Sequence, residues 1–457
     1  QKSENEAKVS DLGVLKSQLD ALNSAASTLQ DKSLFNARSV LIKNSNSGLV
    51  ASASTGALTG DFSLKVESLA SSTEISSKNR TNQRLANSIN PNDKLSDLPL
   101  HSPITKGTFT ISGKTFNINS TDITLQELMD QINTNDGGVS GVNPEGDSTG
   151  VTISYDTDSD KMLLNSGISA NDSSNFLVLG SSTDSSNFLQ SMKFFEEPQS
   201  GQVQSNYALG SIDMTVSLAN ANFSSAFADL TSGLGNFFIG EGEGAVRIDY
   251  DVNNDSLAQV INRVNDSSAN VFMYYDPVGD RFVTRNERTG TVGIVMHESE
   301  DWDSISSANR GSGNILALMG LAAPKSIGSE FDNANLTNYK KGDFVQISAD
   351  GTKWQAMLDN PTEDPSAESE QWLQVIEGVA RSMGSEIGEN SSVRVNGGDL
   401  VYSNRTEFSS SEHGFAGISF DIAQVSLGAS IEFQVSKNAT AAEGAIKKLI
   451  EEFNDAQ

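Results

Sequence analysis

Asp156, Asp158 and Asp160 alternate along one short stretch, the spacing at which a loop offers carboxylate oxygens to a calcium ion. Lys161 stands where the turn glycine of such a loop belongs, and Gly167 where its closing glutamate belongs. The stretch therefore reads as a polar hairpin turn, as does Asp276, Val278 and Asp280, which has a non-ligand in the middle. Asp249, Asp251, Asn253 and Asp255 lack the same two residues, and Asp255 reads instead as help for Ser256 in starting a helix. His413, behind Ser409 to Glu412, supplies the ingredients of a Ser/His/acid nucleophile, but no Gly-x-Ser-x-Gly elbow exists to present a serine. No catalytic residue, cofactor or metal ligand is expected, and the chain is not read as an enzyme. Tyr339, Trp354 and Trp372 are a different kind of candidate. Aromatic rings that face solvent in one plane bind sugars by stacking. A ligand-free β unit stapled by its tryptophans accounts for the same residues.

Composition narrows the classes. With 31 basic and 59 acidic residues the 457-residue chain carries a formal charge of -28, and no basic patch offsets it. Neutralising phosphates needs clustered Lys and Arg, so no nucleic-acid partner is expected. The chain has no cysteine, which excludes disulfides and thiolate chemistry, and its histidines, His101, His297 and His413, share no ligand spacing. No run approaches the ~20 apolar residues of a membrane span. The chain begins at Gln1 without a cleavable leader and is read as a segment of a longer protein.

Three blocks recur in order. Thr124 to Asn133, Val151 to Leu163 and Ser185 to Met192 return as Ser256 to Asn265, Val271 to Val283 and Ser312 to Met319, with spacers of different length. Such self-similarity is the mark of a duplicated module. Leu125, Leu128 and Ile132, like Leu257, Val260, Ile261 and Val264, fall at helical spacing behind the caps Thr124 and Ser256. The second block alternates apolar and polar residues around a polar turn, which predicts a hairpin. A strand is expected before each helix, in residues 108–119 and 245–252. Loops are expected at Asn135 to Gly150, Ser166 to Ser174, Gln199 to Asn206 and Ser304 to Gly313.

The ends of the chain differ from its middle. Leu12, Leu15, Leu19, Leu22, Ala26 and Leu29 step by three and four, the seam of a coiled coil. Ile446, Leu449, Ile450 and Phe453 give a second amphipathic helix. Phe62, Leu64 and Val66, then Ile418, Phe420 and Ile422, then Ile431, Phe433 and Val435 alternate as strands, expected in one antiparallel sheet. The reading is an α+β chain: paired terminal helices form a coiled-coil leg beside an antiparallel β stalk domain, with inserted β-rich head domains built from the strand-helix-hairpin module. Its expected bounds are a leg helix and connector at 1–50 and a stalk of 51–75 with 391–437. Head modules follow at 76–200 and 201–330, a Trp-bearing insert at 331–378, and the second leg helix at 438–457.

Residues 9–29, 50–72, 392–398, 402–408, 414–422 and 433–456 resemble the flagellar filament cap family, also called hook-associated protein 2. The duplicated block similarly resembles the module of flagellin and hook proteins named for an Ile-Asn dipeptide, here Ile132-Asn133 and Val264-Asn265; Val264 departs from the usual Ile. Residues 339–375 resemble a small carbohydrate-binding module of the chitin-binding type, an insert not expected in a typical cap. The cap resemblance implies an extracellular protein of the flagellum tip, exported without a cleaved signal peptide. It also implies a homo-oligomeric ring that helps flagellin fold and polymerise, with hook-filament junction proteins as neighbours. Leu12, Leu15, Leu19, Leu22, Leu29, Ile446, Leu449, Ile450 and Phe453 are the expected leg interface; surface glycans at Tyr339, Trp354 and Trp372, as in an adhesin, are the alternative.

Overall fold

The structure, a computed structural model, describes every residue except 1, 44–47, 80, 82, 134–139, 143–147, 167–176, 196–200, 228–229, 231–232, 242–243, 299–312, 324–329 and 457. Gly167, Trp302 and most of the expected loops at 135–150, 166–174 and 304–313 lie outside the described residues. The chain divides into two compact units, one of Gln1–Thr73, Arg288–Val292 and Ile387–Gln457, the other of Glu74–Glu287 and Gly293–Glu386.

In the first unit, strand Gly60–Ser68 sits at the centre of a five-stranded antiparallel sheet. Ile431–Lys437 pairs with one edge of it and Ser391–Val395 with the other. Arg38–Ile42 and Leu400–Ser403 close the two sides. Strand Ile418–Ile422 corrects the expectation of one shared sheet, because it pairs instead with Leu49–Ala53 and Glu407–Phe408 in a separate three-stranded sheet. Strict alternation shows that one face is buried but not which strand lies alongside. The alternating residues Phe62, Leu64, Val66, Phe420, Ile422 and Phe433 meet in a single core.

Among the described residues the second unit holds three cores. Residues between Ile89 and Leu209 build the first, and residues 331–372 build the smallest. The core centred on Tyr250, Leu257 and Phe282 also takes in Ile75, Leu85 and Ala86, which precede the first module in sequence. Helices Leu125–Asn133 and Leu257–Asn265 each start on a capping box. The Thr124 hydroxyl accepts from the Glu127 N–H at 3.0 Å while the Glu127 carboxylate accepts from the Thr124 N–H at 2.9 Å. Ser256 and Gln259 exchange the same two bonds at 3.3 and 2.8 Å. Hairpins Thr152–Asp156 with Lys161–Asn165 and Val271–Asp276 with Arg281–Thr289 follow. Short helices Phe188–Ser191 and Ile315–Leu318 end both series, with Phe188, Met192, Ile315 and Met319 fully buried.

Residues 108–119, expected as one strand, form a hairpin of Gly107–Ile111 and Lys114–Ile118. Ser112 and Gly113 both take positive φ, the tight turn that joins antiparallel strands. In the expected loop at 199–206, Gln202–Gln204 extends the first module's sheet because Val203 is buried while both flanking glutamines face solvent. In the loop expected at 135–150, Ser140–Val142 pairs with Ser148–Gly150.

The Asn of each Ile/Val-Asn dipeptide has a definable task. The Asn133 carboxamide accepts from the Ile153 N–H at 2.7 Å and donates to the Ile153 carbonyl at 2.8 Å. Asn265 does the same to Met273 at 2.7 and 3.0 Å. Each side chain thus takes the place of a neighbouring strand at the open edge of its hairpin, where unpaired backbone groups would otherwise recruit another chain. Asn133→Ala and Asn265→Ala should each cost about 1 to 3 kcal/mol through the backbone groups left without partners. Amide exchange at Ile153 and Met273 should accelerate correspondingly, and unchanged exchange there would remove the edge-closing role.

Candidate functional site

The described residues hold no cluster of three or more acidic, histidine or cysteine side chains arranged for a metal. Asp156 Oδ1 accepts from the Asp158 N–H at 3.1 Å, a bond within the turn. Asp160 is buried and takes N–H bonds from Ile89 and Gly210 and the Tyr155 hydroxyl at 3.1, 2.8 and 2.7 Å. Asp251 is held below the usual carboxylate range by the Asn254 side chain and the N–H of Asn253. Asp255 bonds the Arg263 guanidinium, which lowers its pKa, and accepts the Asp251 N–H at 2.8 Å.

Ser409, Glu412 and His413 serve the short helix Ser410–His413. Ser409 and Glu412 form its capping box, and the His413 Nδ1 accepts from the Phe415 N–H at 3.1 Å. The imidazole stacks on Phe420 with 4.9 Å between ring centroids. Burial pushes the His413 pKa below its ordinary value, opposed by Glu412 and the Ile418 backbone. A protonated Nδ1 cannot accept the Phe415 N–H. Because the folded pKa lies below the unfolded one, the stability from this group is fully present above pH ~6.5 and is lost as pH falls through the folded value. The melting temperature of the first unit should therefore fall between pH 7 and pH 5, and by less in His413→Phe; equal falls in both chains would exclude His413 as the cause.

The aromatic candidates are placed by the small sheet Phe344–Gln346, Lys353–Ala356 and Trp372–Val375. Trp354 is only 5% exposed and Trp372 3%. Their indole N–H groups donate inward, to the Thr352 hydroxyl at 2.9 Å and the Glu363 carbonyl at 2.6 Å. Tyr339 is half-buried and meets Trp372 edge to face, with ring planes at 76°. A sugar platform needs coplanar exposed faces. These rings instead form the core of a unit too small to have another, and the glycan-binding assignment of Tyr339, Trp354 and Trp372 is corrected accordingly.

Exposed apolar surface is found on the terminal helices. Helix Lys2–Thr28 runs antiparallel to helix Thr440–Asp455. At one end the Asn438 N–H donates to the Ala37 carbonyl at 3.0 Å, and further along Gln18 Nε2 donates to the Asp455 carbonyl at 2.5 Å. Ala25 and Ala442 are buried. Small residues let two helices approach closely, and here they replace Ala26, which is half-buried, as the most enclosed position. Residues 2–17 are all exposed. Leu12, Leu15 and Leu19 face solvent, Leu12 with 65% of its surface. Leu22 is half-buried, and Leu29, also half-buried, lies just past the end of the helix at Thr28. On the partner helix Ile446, Ile450 and Phe453 are exposed and Leu449 is half-buried. The leg residues other than Leu29 thus share a helical pair but are mostly not enclosed by it. Phe35, Leu41, Val50, Leu58 and Leu427 add exposed apolar groups on the same unit; isolated in sequence, they carry no periodic signal by which they could have been found.

The most extended apolar feature of the first unit is therefore the stripe of Leu12, Leu15 and Leu19 that faces solvent on helix Lys2–Thr28. Residues 1–73 match the family model described as the flagellar hook-associated protein 2 N-terminus. Among solved structures, the chain is similar to the D1-D2-D3 domains of the flagellar cap protein FliD from Escherichia coli, with 12% identity over 97% of this chain and 67% of that one, at a TM-score of 0.42. For FliD (HAP2) from Pseudomonas aeruginosa the identity is 13% over 90% and 93% of the two chains, with a TM-score of 0.26. Likeness at these values carries no argument by itself. No curated protein matches the chain. No helix among the described residues is long and apolar enough to cross a membrane.

Proposed function

We propose that the chain is a structural cap at the distal tip of the bacterial flagellar filament. It acts outside the cell as a homo-oligomeric ring that promotes flagellin folding and polymerisation, next to the hook-filament junction proteins during assembly. The observation that carries the reading is the coincidence of the family match with the open leucine seam: residues 1–73 include the helix on which Leu12, Leu15 and Leu19 face solvent. Leu12, Leu15, Leu19, Leu22 and Leu29, with Ile446, Leu449, Ile450 and Phe453, form the leg interface, because a solvent-facing seam of this length is stable only once another helix lies on it. The two series of capped helix, hairpin and short helix are copies of one module, and they provide a rigid head. Surface adhesion through the aromatic insert is not retained, since both tryptophan rings are buried.

The test is complementation. The full-length gene expressed in a bacterium lacking its own cap protein, ideally the source organism, should lengthen filaments and reduce flagellin shed into the medium. Continued shedding by cells shown to export the folded protein would refute the cap reading.

A further inference from the structure

The two hairpins keep the same register and most of the bulk on their buried faces, Leu164 against Thr284 excepted, and diverge at three outer places. Ile153 and Met273, Tyr155 and Tyr275, and Met162 and Phe282 hold equivalent inward places in strands of the same register. Outward, Thr152 is replaced by Phe272, Ser154 by Tyr274 and Asn165 by Arg285. The first copy therefore supplies an internal reference: the fold of the hairpin asks only for Thr, Ser and Asn at these three places. In the second copy Phe272 and Tyr274 are 42% and 39% exposed, with 6.0 Å between ring centroids. Arg285 lies directly across from Phe272, and the buried Val283 lies across from Tyr274. Aromatic residues and arginine are the types enriched where protein surfaces meet.

Two observations narrow the partner. Asn265 already occupies the Met273 N–H and carbonyl on the strand edge, so a partner docks on the face through side chains and not by adding a strand. Arg285 has no ion-pair partner among the described residues, and neither do Glu363, Asp364, Glu368 and Glu370. Residues 359–370 carry five carboxylates and no Lys or Arg, and all four of those side chains are exposed. A guanidinium that has no ion-pair partner among the described residues and lies across from Phe272 suits a carboxylate-rich segment.

We propose that the outer face of the second hairpin, Phe272, Tyr274 and Arg285, docks the acidic segment 359–370 of a second copy of this chain. The inference rests on the self-association proposed above and adds a head-to-head contact to the helical one.

The absence of native cysteine makes a direct test available. Full chains carrying Tyr274→Cys are mixed with full chains carrying Ser366→Cys under mild oxidation; a Ser154→Cys chain, altered at the equivalent place in the first copy, serves as reference. The expected result is an inter-chain disulfide that forms at least about tenfold faster with Tyr274→Cys than with Ser154→Cys. In parallel, the combined variant Phe272→Thr, Tyr274→Ser and Arg285→Asn, which copies the chain's own first hairpin, should weaken self-association about tenfold or more while melting as the parent does. Equal cross-linking of the two positions, or unchanged association of the combined variant, overturns the contact and leaves the ring reading standing. A parent chain that stays monomeric in light scattering overturns both. If the combined variant associates normally yet no longer restores filaments, the face serves a different protein and the second-copy assignment fails.

Discussion

Replacing Leu12, Leu15 and Leu19 together by glutamine should abolish self-association while leaving the sheets of the first unit folded. Leucine and glutamine have nearly equal helix propensity, so the substitution changes the surface of the helix and not its tendency to form. The three side chains face solvent in the single chain, Leu19 with 51% of its surface, so little intramolecular packing is lost, and exposed substitutions of this kind usually fall within about 0.5 kcal/mol. The situation inverts if the seam is covered in an assembly. Each leucine then gives up roughly 1.5 kcal/mol or more of burial, and three such losses correspond to about three orders of magnitude in the association constant. The helix Thr440–Asp455 provides an independent version of the same experiment, because Ile446, Ile450 and Phe453 are exposed on it. Sedimentation at graded concentration, with far-UV circular dichroism as a check on helicity, separates loss of assembly from loss of structure. A triple variant that assembles like the parent would show that the seam is not an interface, and the leg assignment would have to be withdrawn for these three residues.

What could be read before the fold was seen follows from the range of the interactions involved. Caps, hairpin turns and helical faces are local: Thr124 and Ser256 lie three residues from the groups they bond, and Asp156 sits inside the turn it stabilises. These were legible. The partner of strand Ile418–Ile422 was not, because its nearest neighbour, Leu49–Ala53, lies more than 350 positions away and alternation is the same for either pairing. Nor do aromatic residues declare their side. Trp354 and Trp372 have the composition of a sugar platform and the position of a core, and only the neighbouring Tyr339 and Phe331 rings at steep angles decide between them. The seam was legible as a helix, but whether Leu12 is covered within one chain is a tertiary fact; the spacing is identical in both cases.

Lys193 is the clearest case of a residue whose importance no local pattern announces, and Lys193→Met should cost the second unit about 3 kcal/mol. The side chain is fully buried. Its ammonium donates to the carbonyls of Ala208, Pro277 and Val278 at 2.6, 3.3 and 2.9 Å, so a residue following the helix Phe188–Ser191 ties down the turn between Val271–Asp276 and Arg281–Thr289. The backbone there is left-handed, with φ 56°, as it is at Gly320 after the helix Ile315–Leu318, with φ 65°; a lysine held in a conformation better suited to glycine argues that the side chain is needed. Removing one member of a buried charged set typically costs 3 to 5 kcal/mol, since its partners keep their desolvation without compensation. Burial pushes the Lys193 pKa down to about 8, with Asp280, Asp160 and Asp276 opposing the shift. The unfolded chain, titrating near 10.5, therefore binds more protons than the folded one between those two values, and stability from this group rises with pH across that window. Urea titrations at pH 7, 8 and 9, below the range in which unfolded tyrosines ionise, should show the parent gaining stability relative to Lys193→Met. Parallel curves for the two chains would mean that Lys193 stays charged and solvated in the folded protein, and that the turn at Pro277 and Val278 is held by something else.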